Sequence, residues 1–364
     1  MKNWQKMRSN DAFREQLLLR EQVIQAIRRF FAQEKFHEVE TPLLVKSPGT
    51  EPYLEVFATE LENERQEKQA AYLLTSPEYA MKKLLVAGLK NIYQICKSFR
   101  NQESLGGTHS PEFTILEWYR SDADYLDIMD DFARLLLFIS QELQAYYRKK
   151  TGVFAKQLRA RLQAKNLQYL DQNYDLSLPY KRLSVAEAFK QYLNIEENEL
   201  LDLEILRKKT QELNYPLTAD SNWDELFYQL FLNEIEPQLA RLKQPVIIYD
   251  YPLSQAALSK RKADNPNFAE RFEVYMAGLE LGNAFSELTD AKEQGQRLQA
   301  ELKVRAQLKK IVYDLDQDFI EALKVGMSET GGIAVGVDRL VMLFADTAEI
   351  DNTLFFPAQE AFKF

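Results

Sequence analysis

The chain has 364 residues, 46% hydrophobic and 28% charged, with a formal net charge of -9. That balance excludes a disordered chain, and the single cysteine, Cys96, excludes an internal disulfide or a thiolate metal cluster and fits a reducing cytoplasm. Two histidines nearly exclude a classical zinc site, no apolar run approaches the roughly 18 residues of a membrane span, no signal peptide is visible, and the acidic surplus disfavours sequence-blind binding to nucleic acid.

Residues 11–35 read as an amphipathic helix, with Phe13, Leu17, Ile24, Ile27 and Phe31 on one face and Arg14, Arg20 and Arg28 off it. Pro42, Pro48, Gly49 and Pro52 punctuate a loop-rich stretch, followed by strand-like runs at 53–58 and 71–75. A short helix is expected from Glu78 to Gly88, ended by its glycine. Residues 91–100 and 113–120 read as an antiparallel hairpin whose long polar tip holds Gly106 and Gly107. A long helix covers 124–149, and the weakly patterned 150–225 stretch reads as helical, which places a helical insertion at about 124–240. Strand character returns at 246–251, 271–276 and 281–288, helices at 291–313 and 317–325, then a Gly-rich strand at 331–337 and a helix from Asp338. The order predicts an α+β fold, an antiparallel sheet flanked by helices, in one domain over 1–364.

Four constellations carry chemistry. In the hairpin, Arg100 ends one strand, His109 sits in the tip, and Phe113 opens the return strand. A guanidinium fork suits a phosphate, a mobile histidine can close on its far end, and Phe113 can stack on a flat ring. In Gly331–Leu340, glycines admit a ligand close to the backbone, Asp338 reads as an N-cap, and Arg339 adds charge to a helix start that favours anions. The spacing is neither a Walker loop nor a dinucleotide fingerprint. Glu273 and Glu280 can face one cavity from neighbouring strands, as Mg²⁺ ligands near phosphate do, and Glu287 can meet an ammonium. Glu78, after Ser76 and Pro77, can bind a cation or simply open a helix.

Taken together, these segments resemble the three motifs of the class II aminoacyl-tRNA synthetases. Residues 39–44 resemble motif 1, the dimer-forming element; Phe99 through Tyr119 resembles motif 2; Gly336 through Leu340 resembles motif 3. Ser76-Pro77-Glu78, His109 to Tyr119, Glu270 to Glu273 and Glu280 to Leu288 point to the lysyl branch, and the likeness runs from about residue 11 to Pro357. The resemblance implies a cytoplasmic homodimer that uses ATP and Mg²⁺. It places Arg100 on the α-phosphate, Phe113 and Arg339 on the two faces of adenine, and His109 over the pyrophosphate. Asn101 with Gln102 or Glu103 meets the adenine side, and Leu281 and Gly336 also contact nucleotide. Glu273 and Glu280 hold Mg²⁺. Glu78 and Glu287 bind a side-chain ammonium beside Tyr119 and Asn283, with Ser76, Pro77 and Ala334 lining the amino-acid pocket.

In the lysyl branch an OB-fold anticodon-binding domain precedes the catalytic domain; here the catalytic motifs begin at once, and no such domain is expected. That organisation is similar to the truncated paralogues that ligate β-lysine to a lysine of elongation factor P, which also resemble this chain at Ser76 and Ala334. The expected reaction is adenylation of (R)-β-lysine or lysine, then transfer to the elongation factor, with tRNA disfavoured. The family pattern is altered in the motif 2 loop: Gln102 precedes Glu103, Gly106-Gly107-Thr108 replaces an arginine-bearing stretch, and Ser110 follows the histidine. A free-standing enzyme charging tRNA or another amine, and a non-catalytic paralogue binding lysine or ATP, are the competing readings.

Overall fold

The computed structural model describes residues 1–163, 165–218 and 220–362. The chain opens with α1 (Asn3–Ser9) and α2 (Asp11–Gln33), whose Leu17, Val23, Ile27, Phe30 and Phe31 are buried. Asn10 caps α2 by accepting from the Phe13 N–H. Short strands β1 (His37–Glu38) and β2 (Leu44–Val45) follow, then β3 (Ala58–Glu62) and β4 (Lys68–Leu73), a hairpin whose first strand lies later and whose second lies earlier than the expected runs at 53–58 and 71–75. The turn is responsible: Asn63 N–H donates to the Glu67 carbonyl at 3.1 Å and Gln66 takes a positive φ of 63°. Helix α3 (Glu78–Val86) ends as expected beside Gly88, at φ 104°. The predicted hairpin is β5 (Asn91–Phe99) with β6 (Glu112–Ser121), paired antiparallel in register from Asn91–Arg120 to Phe99–Glu112.

The stretch expected to be a helical insertion is more varied. Helix α4 (Tyr125–Tyr147) buries Ile128, Phe132, Leu136 and Ile139 in the main core and so belongs to the body of the fold. Helix α5 (Val153–Arg161) leads into a three-stranded sheet of β7 (Leu162–Gln163), β8 (Asn166–Tyr169) and β9 (Gln172–Asp175), and β10 (Lys181–Ser184) joins the main sheet. Leu170 and Asp171, at φ 46° and 60°, make the two-residue turn of that small hairpin. Helices α6 (Val185–Leu193), α7 (Glu197–Leu200), α8 (Leu203–Glu212), α9 (Trp223–Leu230) and α10 (Glu236–Leu239) complete the stretch. Members of this group form a second core with β11 (Val246–Pro252) and β12 (Phe268–Met276) around Phe189, Phe227 and Phe231. The chain closes with β13 (Leu279–Ser286), α11 (Ala291–Gln307), α12 (Gln317–Val325), β14 (Thr330–Gly336), α13 (Val337–Ala345) and α14 (Ala358–Ala361).

The main sheet has eight strands in the order β1-β5-β6-β14-β13-β12-β11-β10, antiparallel except for the parallel edge pairs β1–β5 and β10–β11. This is the expected α+β architecture, with the added detail that the sheet is mixed at both edges. One face is covered by α2, α4 and α13, where Phe31 stacks on Tyr93 at 4.4 Å between ring centres and packs on Trp118 at 5.3 Å. The opposite face is partly covered by α3 and α12 and carries polar residues in its centre.

Candidate functional site

Cross-strand register assembles the polar face. Gln94, Glu117, Ala334, Asn283 and Glu273 lie directly opposite one another across five adjacent strands. The neighbouring row is Ile92, Tyr119, Gly332, Phe285 and Arg271. Directly opposed residues share a face, so both rows look into the same cleft. A register shift between Val274 and Tyr275 pairs Tyr275 with Glu280. Strict alternation from Asn283 would turn Glu280 toward the core; the bulge returns it to the cleft beside Glu273. Leu281, expected at the nucleotide, is 1% exposed and packs in the core, which leaves only its backbone for any ligand.

At one end of the cleft two carboxylates grip one ammonium, with a third buried carboxyl beside them. Lys82, 0% exposed, donates to Glu78 Oε1 at 2.5 Å and forms an ion pair with Glu287. Glu117 accepts from Ser76 Oγ at 2.6 Å and from the Tyr119 hydroxyl at 3.0 Å. Ser76 Oγ also accepts the Glu78 N–H at 3.1 Å, so one serine orients two of the acids. Burial, then the charge of Glu78, pushes the Glu117 carboxyl up to about 8. Burial also raises Glu287, assisted by Glu78 and Glu117 and opposed by Lys82. Neither oxygen of Glu287 finds a well-aligned hydrogen-bond donor. Space for Glu287 comes from Gly332, where a Cβ would stand 2.3 Å from Glu287 Oε1 and 2.5 Å from the Tyr119 ring. Cavities of about 570 and 710 Å³ meet this cluster, both lined by Glu78 and Glu51.

Of the residues expected at the amino-acid end, Ser76, Glu78, Tyr119 and Glu287 converge. Asn283 lies in the Glu117 row, two strands across beyond Ala334, and accepts from Arg271 Nε at 3.0 Å. Lys82 and Glu117 were not expected. The signals were available: Lys82 is four residues after Glu78 on a helix, and Glu117 shares one strand face with Phe113, Ile115 and Tyr119.

The other end of the cleft is cationic. The Arg100 guanidinium centre lies 5.0 Å from the Phe113 ring centre, and its buried Nε–H has no acceptor. Arg339, in the first turn of α13, donates to the Glu280 carbonyl at 2.7 Å and lies 3.6 Å from Glu280 Oε2. Its other nitrogen lies 3.2 Å from His109 Nε2, while Thr108 Oγ1 lies 3.1 Å from Nδ1. Partial removal from water and the Arg339 cation both lower the pKa of His109, so neutral imidazole accepts from Arg339 and donates to Thr108. Gln102 is exposed at φ 59°, with its N–H on Asn101 Oδ1; Glu103 is half-buried and acts electrostatically on His109.

One expectation changes here. Asp338 is not the N-cap of α13; Gly336 is. The Asp338 carboxylate instead accepts the Thr114 N–H at 2.6 Å and pairs with Arg20, pinning α13 to β6 and α2. Glu273, expected as a metal ligand, is held by the hydroxyls of Tyr251 at 2.6 Å and Tyr275 at 2.5 Å and by Arg271 at 2.6 Å. Glu280, with 42% of its side chain exposed, is the carboxylate free to engage a ligand. Enclosure in the cleft and the charge of Glu273 raise its pKa, against Arg339, Arg100 and Arg271. Among the described residues no three His, Cys, Asp or Glu side chains converge as a metal cage. The oxygen donors present suit a hard divalent ion that keeps water and ligand phosphate in its shell.

A sheet bearing a pocket of carboxylates at one end and an arginine pair at the other thus defines a class of domain. A family model described as class II tRNA synthetases (D, K and N) matches residues 1–360, and the chain belongs to that family. A lysine–tRNA ligase of Carboxydothermus hydrogenoformans is 33% identical over 351 residues, covering 96% of this chain and 66% of that protein. The chain therefore spans just under two thirds of the length of this curated relative.

Proposed function

We propose that this chain activates a diamino acid, (R)-β-lysine or lysine, with ATP and transfers it to the side-chain amine of a lysine in elongation factor P. The observation that carries the substrate class is the charge count of the inner pocket. Lys82 pairs with Glu78 and Glu287, while buried Glu117 beside them takes hydrogen bonds from Ser76 and Tyr119, so the pocket holds more acid than Lys82 balances and a ligand carrying ammonium groups can offset the rest. The (Lys, Asp, Asn) family and the lysine–tRNA ligase relative support the same class.

The substrate carboxylate would then point toward Arg100. One of its oxygens attacks the α-phosphorus, the bond to pyrophosphate breaks, and an aminoacyl-adenylate results. The acceptor amine attacks the carbonyl carbon, the carbon–oxygen bond to phosphate breaks, AMP leaves, and the ammonium proton passes to solvent. The chain's contribution is position and charge: Arg100 and Arg339 offset charge on phosphate oxygens, and Phe113 offers a ring face to adenine. Glu280 and, at the cost of its present partners, Glu273 would hold Mg²⁺, which would supply positive charge against the developing charge of the phosphates.

The likeness of Ser76 and Ala334 to the protein-modifying paralogues supports that branch, and both positions border the inner pocket: Ser76 holds Glu117, and Ala334 lies directly opposite both Glu117 and Asn283. The relative's name favours a second reading, the charging of tRNA. Pyrophosphate exchange with each lysine isomer, followed by mass spectrometry of elongation factor P and acid-precipitation of tRNA, separates the two. A mass increase of the elongation factor with β-lysine is the expected result; tRNA charging without protein modification overturns it. Gly332→Ala is expected to raise KM for the amino acid about tenfold, because the new methyl displaces Glu287 and Tyr119, and to leave KM for ATP within about twofold.

A further inference from the structure

We infer that residues 347–359 form a strap that holds the motif 2 loop in its nucleotide-ready position, with Glu349 and Gln359 as positioning residues for His109. The inference rests on the reading that nucleotide binds between Arg100, Phe113 and Arg339. Both backbone groups of Gly107 are taken by the strap: its N–H donates to Glu349 Oε2 at 3.0 Å, and its carbonyl accepts the Ile350 N–H at 2.7 Å. Gln359 Nε2 donates to the Leu105 carbonyl. A Cβ on Gly106 would stand 1.9 Å from that Gln359 nitrogen, so the glycine is the imprint of the strap on the loop. Gly106 and Gly107, at φ 89° and 59°, adopt backbone that other residues rarely hold.

The strap is itself fixed. Ile350 is 2% exposed in the main core, and Thr353 Oγ1 donates to its carbonyl at 2.7 Å. Arg20 Nε donates to the Thr353 carbonyl at 3.2 Å, and Asn3 Nδ2 to the carbonyls of Asp351 and Leu354 at 2.7 and 2.8 Å. From Gly107 the path to the cleft is short. Gly106 and His109 exchange two backbone hydrogen bonds of 3.2 Å, and His109 Nε2 meets Arg339 at 3.2 Å. The strap thus fixes one end of a turn whose other end touches the proposed phosphate-binding arginine. A loop ordered before nucleotide arrives loses less entropy on binding, so the strap acts on ATP affinity and not on the amino-acid pocket.

The test is pyrophosphate exchange with Glu349→Ala, Gln359→Ala, their double variant, Glu349→Gln and Arg100→Ala in the full chain, with melting temperatures recorded. Glu349→Ala is expected to raise KM for ATP about threefold to tenfold, the loss of one or two modest hydrogen bonds, with KM for lysine unchanged within about twofold. Glu349→Gln keeps an acceptor oxygen for the Gly107 N–H and is expected to restore KM for ATP. A double variant whose KM for ATP stays within about twofold of the parent overturns the strap. So does one that shifts both KM values equally with a lowered melting temperature, which is general loosening. If Arg100→Ala also leaves KM for ATP unchanged, the nucleotide reading itself falls, and the strap with it; loss confined to Arg100→Ala removes the strap alone.

Discussion

Lys82→Met is expected to destabilise the protein by about 3–5 kcal/mol at pH 8, measured by urea unfolding, because it strips the buried cation from its partners Glu78 and Glu287, with Glu117 close by. Methionine nearly matches the lysine stem in length, so the deficit is electrostatic and not a cavity. The effect has a pH signature. At pH 5 the variant can hold Glu117 and Glu287 protonated, since burial already raises both, and the deficit should shrink. Lysine or 1,5-diaminopentane at millimolar concentration should restore part of the loss, because an ammonium can take the vacated place. A deficit that is the same at pH 5 and pH 8 and is indifferent to diamines would refute the charge-count reading of the pocket.

Amino-acid binding is expected to release protons and to tighten steeply between pH 6 and pH 8. The Glu117 carboxyl sits at about 8 in the empty pocket, against an ordinary value of 4.5. At pH 7 it therefore holds a proton, and an arriving ammonium lowers its pKa and expels that proton. Each proton expelled makes KM fall about tenfold per pH unit in this range, so KM for lysine should drop roughly tenfold to a hundredfold from pH 6 to pH 8. The sign for the free protein is the opposite. A carboxyl raised by folding supports the fold fully below about 4.5 and ceases to do so as pH passes about 8, so the ligand-free protein should lose stability over that window. Calorimetric titration of lysine in buffers of different ionisation enthalpy counts the protons; a count of zero at pH 7 contradicts the raised carboxyls.

The elements that positioned the site were largely legible. The 3.6-residue pattern of residues 11–35, the hairpin around Gly106-Gly107 and the Gly-rich strand before Arg339 needed only local rules, and Arg100, His109, Phe113 and Arg339 came with them. What escaped depended on neighbours far away in sequence. Asp338 has the letter of an N-cap, but its partner Arg20 lies 318 residues away and pulls it out of that role. Lys82 is one of two adjacent lysines on α3, and its partner Glu287 lies about 200 residues further along the chain. Glu117 sat in an apolar run, and only the cross-strand row with Ala334 and Asn283 shows which face it occupies. The small β7–β9 sheet turns at Leu170-Asp171, without the Asn-Gly or Gly-Gly letters that announce such turns, so a helical reading of that region prevailed.

The bulge beside Tyr275 reaches beyond the aim of one glutamate. Because Glu280 is turned to the cleft, the next two residues, Leu281 and Gly282, both lie on the core side, where alternation would allow one. A Cβ at position 282 would meet the Ala334 carbonyl at 3.1 Å and the Ile333 and Val335 side chains at 3.2 and 3.1 Å. The large leucine and the absent side chain beside it thus form a linked pair. A side chain added at 282 would press on the backbone of the neighbouring strand, so the orientation of the charge at 280 depends on a glycine on the opposite face of the sheet.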